Sequence, residues 1–308
     1  MPNLNSINFS LSSVFYLIPL YFLIIAPLLR QFFPSDPGLS VPRDIRDAAY
    51  FDNVGKGGEL EEEEEEDTSL QLNPDLLSLE DGETIVCELG SDMYRAHIFS
   101  YNPLVVYIEG FLSGQEADHL INVSVPNYTP SPVYSSSQAN ASDPTKRLSD
   151  RALLPRDSVV RCIESRARAF QGWKPYLYIE RMWAQRYNVS GHYTHHYDWA
   201  GTAKGRGGDR LSTFMVYLKA ECKGGGTNFP RLRRPRDKRW CEFVDCEQQE
   251  GREGVTFKPI KGNAVFWENL RADGSGYPET WHAAFPVEQG EKVGLNIWSW
   301  YQPPTGRW

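Results

Sequence analysis

Two histidine-bearing stretches could do chemistry together. The first is His192-Tyr-Thr-His-His196-Tyr-Asp198; the second is His282, with Lys292 ten residues beyond it. In a strand, alternate side chains share a face, so His196 and Asp198 point one way while His195 and Tyr197 point the other. His192 has the same parity as His196 but lies beside the turn at Gly191. Two imidazoles and one carboxylate on one side of a metal suit non-haem Fe(II) and leave positions open for substrate and oxygen. His-x-Asp pairs are also common as structural pairs. A single buried histidine is more often satisfied by a hydrogen bond than by a metal, so His282 gains weight only from its company.

That company is Lys292. It comes after the turn Glu288-Gln-Gly290 and opens Lys292-Val-Gly-Leu-Asn-Ile-Trp-Ser-Trp300. Val293, Leu295 and Ile297 make one apolar face, which puts Lys292, Gly294 and Asn296 on the other. An ammonium pointing into a barrel needs an anionic partner, and a carboxylate-bearing cosubstrate would supply one. A surface lysine is the plain alternative. A zinc hydrolase could use the same three ligands but has no need of Lys292.

The rest of the chain must position these groups. Its 308 residues are 41% hydrophobic and 23% charged, which describes a globular body with room for one large domain or two small ones. The net charge of −8 sits largely in the run Glu61 to Asp67, so no general field for nucleic acid is expected. Nine Trp, 16 Tyr and 15 Phe with 25 Gly and 21 Pro favour a β-rich, turn-rich fold. Ser113-Gly-Gln-Glu116 is a capping box opening one helix, and Asp157 caps a second whose Val159, Val160, Ile163, Ala167 and Phe170 share a side. Short strands are expected at 104–108, 176–187, 192–198, 211–219, 263–268, 281–285 and 292–301. Residues 126–147 read as a long polar stretch. The expected class is α+β, mainly β: a jelly roll with N-terminal helices packed on one sheet.

Val14 to Leu29 is an unbroken apolar run. As a helix it reaches about 24 Å and approaches the roughly 30 Å of a bilayer core once about 11–33 is included. The expectation is a tail over 1–35 with a signal anchor in the endoplasmic reticulum membrane and the folded domain luminal. The alternative is secretion after cleavage. An acidic, Pro/Gly-rich linker is expected over 36–80 and the domain over 81–308, with a metal-binding core at 180–302. Sequons at Asn122, Asn127, Asn140 and Asn188 fit a glycoprotein. Cys87, Cys162, Cys222, Cys241 and Cys246 show no zinc-site spacing. One or two disulfides are possible, with Cys241 and Cys246 the nearest candidates, and free thiols are the alternative.

A series of segments runs in order through the body of the chain. It begins with Pro103-Leu-Val-Val-Tyr-Ile-Glu-Gly-Phe-Leu-Ser113, Glu180-Arg-Met-Trp-Ala-Gln-Arg-Tyr187 and Tyr193-x-x-His196-x-Asp198. It continues through Arg210-Leu-Ser-Thr213, Tyr217-Leu218, Gly224-Gly-Gly-Thr-Asn-Phe-Pro230, Pro259-Ile-Lys-Gly262, Phe266-Trp267 and His282-Ala-x-x-Pro-Val, with Lys292 after them. In these segments, residues from about 104 to 301 resemble the catalytic domain of prolyl 4-hydroxylase alpha subunits, in the iron(II)/2-oxoglutarate dioxygenase superfamily. The resemblance implies a double-stranded β-helix, Fe(II) bound by His196, Asp198 and His282, and 2-oxoglutarate held by Lys292 with Tyr187 as a donor. O2 is then the second cosubstrate and L-ascorbate the reductant. The implied reaction is hydroxylation of a C–H bond with release of succinate and CO2, and peptidyl proline is the expected substrate. Another peptide residue, a small molecule, or an inactive metal-binding scaffold are the alternatives. The sequence departs from the family at Gly226, where a Glu is usual, and in the basic insertion Arg231 to Arg239.

Overall fold

The computed structural model describes residues 71–82, 85–87, 94–135, 138–141, 143–202, 207–247 and 253–304. Strands β1 (Arg95–Tyr101) and β2 (Leu104–Glu109) pair as a hairpin and lead into helix α1 (Gly114–Ser124). Five short strands follow: β3 (Thr129–Pro130), β4 (Val133–Ser135), β5 (Gln138–Ala141), β6 (Arg147–Leu148) and β7 (Asp150–Leu153). The stretch read as polar loop is therefore partly paired. Helix α2 (Ser158–Phe170) comes next, and then β8 (Leu177–Ile179), β9 (Trp183–Tyr187), β10 (His192–His196) and β11 (Asp209–Gly224). The chain ends in β12 (Thr227–Phe229), β13 (Val255–Phe257), β14 (Ala264–Glu268), β15 (His282–Ala284) and β16 (Val287–Tyr301).

The helix starts follow from local chemistry. Ser113 and Glu116 exchange the two hydrogen bonds of a capping box, and the Asp157 side chain accepts from the Val160 amide, so amides left without partners in both first turns are satisfied.

The strands assemble into antiparallel sheets. The larger runs β1-β2-β14-β11-β16-β9-β7-β3, with β8 also on β16; the smaller runs β13-β12-β15-β10-β6. This mainly-β, antiparallel arrangement is a jelly roll. β11 is apolar on both faces, and the reason is visible in its neighbours. Phe214, Val216 and Leu218 share a cluster with Val293, Leu295 and Ile297 and with Ala117, Leu120, Val160 and Ile163 of the helices. Met215 and Tyr217 point the other way, into a cluster with Phe229, Val255, Phe257 and Trp267. A side-chain period of two thus serves two cores at once.

Leu77, within the span expected as linker, is buried and bridged to Glu180. The cysteines pair as Cys87–Cys162 and Cys241–Cys246, and Cys222 is free.

The expected anchor at about 11–33 lies outside the described residues. The expected placement in the endoplasmic reticulum membrane is corrected: among the described residues no helix is long and apolar enough to cross a membrane. α1 and α2 have 11 and 13 residues. At the usual rise they reach about 16 and 20 Å, against roughly 30 Å of hydrocarbon.

Candidate active site

Register brings the two histidine stretches together. His196 on β10 pairs directly with His282 on β15, so their side chains leave the same face of the smaller sheet. The ring centroids are 4.3 Å apart. Asp198, just past the end of β10, turns onto the same face. Its Oδ1 is 3.7 Å from His196 Nε2 and its Oδ2 is 3.9 Å from His282 Nε2. One ligand atom from each of the three lies within 4.8 Å of the others. That spacing lets a single ion contact all three.

The tautomers suit that use. His196 Nδ1 bonds the Thr194 carbonyl and His282 Nδ1 the Thr280 carbonyl, each at 2.9 Å. A carbonyl only accepts, so both Nδ1 atoms carry a proton and both Nε2 atoms are the ones turned toward Asp198. Burial, and then the neighbouring His282, push the His196 pKa down to about 3, so it is neutral at physiological pH. Burial acts to raise Asp198, but the nearby His282, His196 and Arg210 and a hydrogen bond from Thr213 outweigh it and hold the carboxyl below its usual range. The site therefore offers a neutral imidazole at His196 and an anion at Asp198, with the His282 ring beside them.

The other histidines of the motif lie elsewhere. His195 faces outward, where Nε2 meets Asn228 Oδ1 at 3.1 Å and the ring stacks on Trp281. His192 bonds the Ser190 and Thr145 carbonyls.

Lys292 is 1% exposed and faces the sandwich interior. Its Nζ donates to the Gly225 carbonyl at 2.6 Å and lies 5.0 Å from the Tyr187 ring centroid. No carboxylate pairs with it among the described residues. Burial pushes its pKa down to about 8. Tyr187 is the backbone neighbour of Lys292 across β9 and β16, and burial raises its hydroxyl, which keeps the O–H proton available to donate. A buried ammonium beside a buried hydroxyl, with no anion of their own, fits a carboxylate ligand.

Sequence reasoning missed several groups around this site. Arg210 makes a bidentate pair with Glu180, at 2.7 and 2.8 Å, lies over the Trp298 ring and donates to the Asp198 carbonyl. Thr213 Oγ1 donates to Asp198 Oδ2 at 2.8 Å. Both residues stood in the quoted Arg210-Leu-Ser-Thr213 segment, and Thr213 shares strand parity with Met215 and Tyr217. At Gly226 a Cβ would sit 2.5 Å from Thr256 Cγ2, so a methyl group fills part of the space a side chain would need.

A family profile described as the 2OG-Fe(II) oxygenase superfamily matches residues 182–300, a span that holds His196, Asp198, His282, Lys292 and Tyr187. Prolyl 4-hydroxylase 5 of Arabidopsis thaliana is 31% identical over 218 residues, covering 68% of this chain and 73% of that protein. The chain belongs to the 2OG-Fe(II) oxygenase superfamily, as a prolyl 4-hydroxylase-like member. Prolyl 4-hydroxylase 2 of the same plant is 30% identical over 203 residues, covering 65% of this chain and 68% of that protein. The 2-oxoglutarate complex of a viral collagen prolyl hydroxylase from Paramecium Bursaria Chlorella virus-1 overlays with a TM-score of 0.47 at 28% identity, covering 64% of this chain and 96% of the other. By its family this oxygenase is a 2-oxoglutarate-dependent dioxygenase, with Fe(II), 2-oxoglutarate, O2 and ascorbate as its cofactor set.

Proposed function

We propose that the protein hydroxylates peptidyl proline at the 4-position, consuming 2-oxoglutarate and O2 and releasing succinate and CO2. In this reading His196, Asp198 and His282 hold Fe(II), and Lys292 with Tyr187 holds the distal carboxylate of 2-oxoglutarate. The observation that carries it is the buried Lys292, which has no carboxylate partner among the described residues, together with the convergent ligand atoms of His196, Asp198 and His282. Iron and 2-oxoglutarate, when bound, supply the oxidising power for an unactivated C–H bond. The chain itself binds and orients: Lys292 and Tyr187 set the cosubstrate's far end. Proline as the target is supported by relatives that carry the name prolyl 4-hydroxylase. The folded dioxygenase unit is proposed as 81–308, with its metal-binding core at 180–302.

The experiment is incubation of the full chain with Fe(II), 2-oxoglutarate, ascorbate and a panel of proline-rich peptides, read by mass spectrometry and succinate release. One added oxygen on a prolyl residue, matched by succinate, is the expected result. Succinate formed only with another peptide residue or a small molecule would replace the prolyl assignment. Fe(II) bound with no succinate formed on any substrate would point to the scaffold alternative.

A further inference from the structure

Three buried side chains run from the heart of the larger sheet to one ligand. Trp267 Nε1 donates to Asn269 Oδ1 at 2.8 Å, Asn269 Nδ2 donates to Thr213 Oγ1 at 2.9 Å, and Thr213 Oγ1 donates to Asp198 Oδ2 at 2.8 Å. Trp267, Asn269 and Thr213 are all buried. Asn269 is tied down on both sides, with its amide bonded to the Leu211 carbonyl and its carbonyl to the Tyr277 amide.

The direction of this chain is dictated by its first member. An indole N–H can only donate, so it selects the amide oxygen of Asn269. The Asn269 amino group then faces Thr213 and can only donate in its turn. It occupies the hydroxyl oxygen as acceptor, which leaves the single hydroxyl proton free for Asp198. Asp198 Oδ2 is thereby held by a hydrogen bond to a charged group, the stronger kind. Oδ1 accepts no hydrogen bond among the described residues and faces His196. The same Trp267 ring also packs edge-on against His282, with centroids 4.8 Å apart. One indole thus touches one ligand and orients another.

We propose that Trp267, Asn269 and Thr213 are positioning residues that fix which Asp198 oxygen is presented to the metal. This inference rests on the metal-site reading above. Thr213 acts on Asp198 directly, and Asn269 and Trp267 act on it through Thr213.

The test uses Mn(II) as the probe, with binding to the full chain measured by electron paramagnetic resonance beside the melting temperature of the metal-free protein. Thr213→Val removes the hydroxyl at nearly constant volume and is expected to weaken Mn(II) binding by about 10–100-fold, the range for partners that orient a ligand. Thr213→Ser keeps the donor and is expected to restore binding. Trp267→Phe removes the N–H that sets the direction and is expected to weaken binding by a smaller factor. A Thr213→Val protein that melts lower yet binds Mn(II) like the parent has lost only a structural contact, and that result overturns the proposal. If Thr213→Val fails to fold, Trp267→Phe decides: parental affinity there overturns it equally. A parent chain that binds no Mn(II) would instead sink the metal-site reading, which separates the two failures.

Discussion

Lys292 donates to the carbonyl of Gly225 at 2.6 Å, and that carbonyl stands where an enclosed ammonium would ordinarily meet a carboxylate. A neutral oxygen compensates a buried charge only in part, which is why the lysine's pKa falls from 10.5 to about 8. Below pH 8 the lysine is charged in both folded and unfolded chains, and its burial costs roughly 3 kcal/mol of stability at 1.36 kcal/mol per pKa unit. Between about 8 and 10.5 the unfolded chain binds more protons than the folded one, so stability rises with pH. Thermal melts of the metal-free, cosubstrate-free protein should show this rise. Lys292→Met should melt higher at neutral pH and lose the rise. It should also lose the stabilisation that 2-oxoglutarate gives the parent. A Lys292→Met protein still stabilised by 2-oxoglutarate would refute the assigned role.

Alanine at His196, Asp198 or His282 should each remove Mn(II) binding by more than the about 10–100-fold that orienting partners carry. His195→Ala and His192→Ala, whose rings bond Asn228 and backbone carbonyls, should leave it intact. Titration followed by paramagnetic resonance distinguishes the two sets.

Glu180 is 3% exposed at its side chain and Arg210 27%. Glu180→Ala strands the guanidinium beside Asp198. A fully buried pair would cost roughly 3–5 kcal/mol on losing one partner; the partial exposure of Arg210 lowers the expectation to about 2–3 kcal/mol. Urea unfolding measures it, and Glu180→Gln should recover part of the loss through its amide oxygen.

Gly226→Ala should destabilise by roughly 1–3 kcal/mol through overpacking, because the new methyl meets Thr256 Cγ2. Thr256→Ser, which keeps the hydroxyl bonded by Asn228 Nδ2 at 3.0 Å, should recover part of that in the double variant. Chemical denaturation of the four proteins closes the cycle.

Much of this site is legible in the sequence. The i, i+2 relation of His196 and Asp198 needs only strand geometry, and the apolar alternation of Val293, Leu295 and Ile297 is enough to send Lys292 inward. Both helix caps are readable because a capping box is a local device. The rest depends on contacts distant in sequence. The direct pairing of His196 with His282 is a register, and register is set by the whole sheet. The Cys87–Cys162 bridge closes a separation of 75 residues that no spacing rule flags. Thr213 and Asn269 are small polar residues in apolar surroundings, and nothing in their own neighbourhoods says that they face each other at 2.9 Å.

The carbonyl of Thr194, two residues before His196, has a calorimetric consequence. It claims the one proton the imidazole keeps at neutral pH, so His196 has none left to surrender when an ion arrives. In its proposed role as a metal ligand, His196 should add no proton release, so its share of the heat of metal binding near pH 7 should not depend on the buffer.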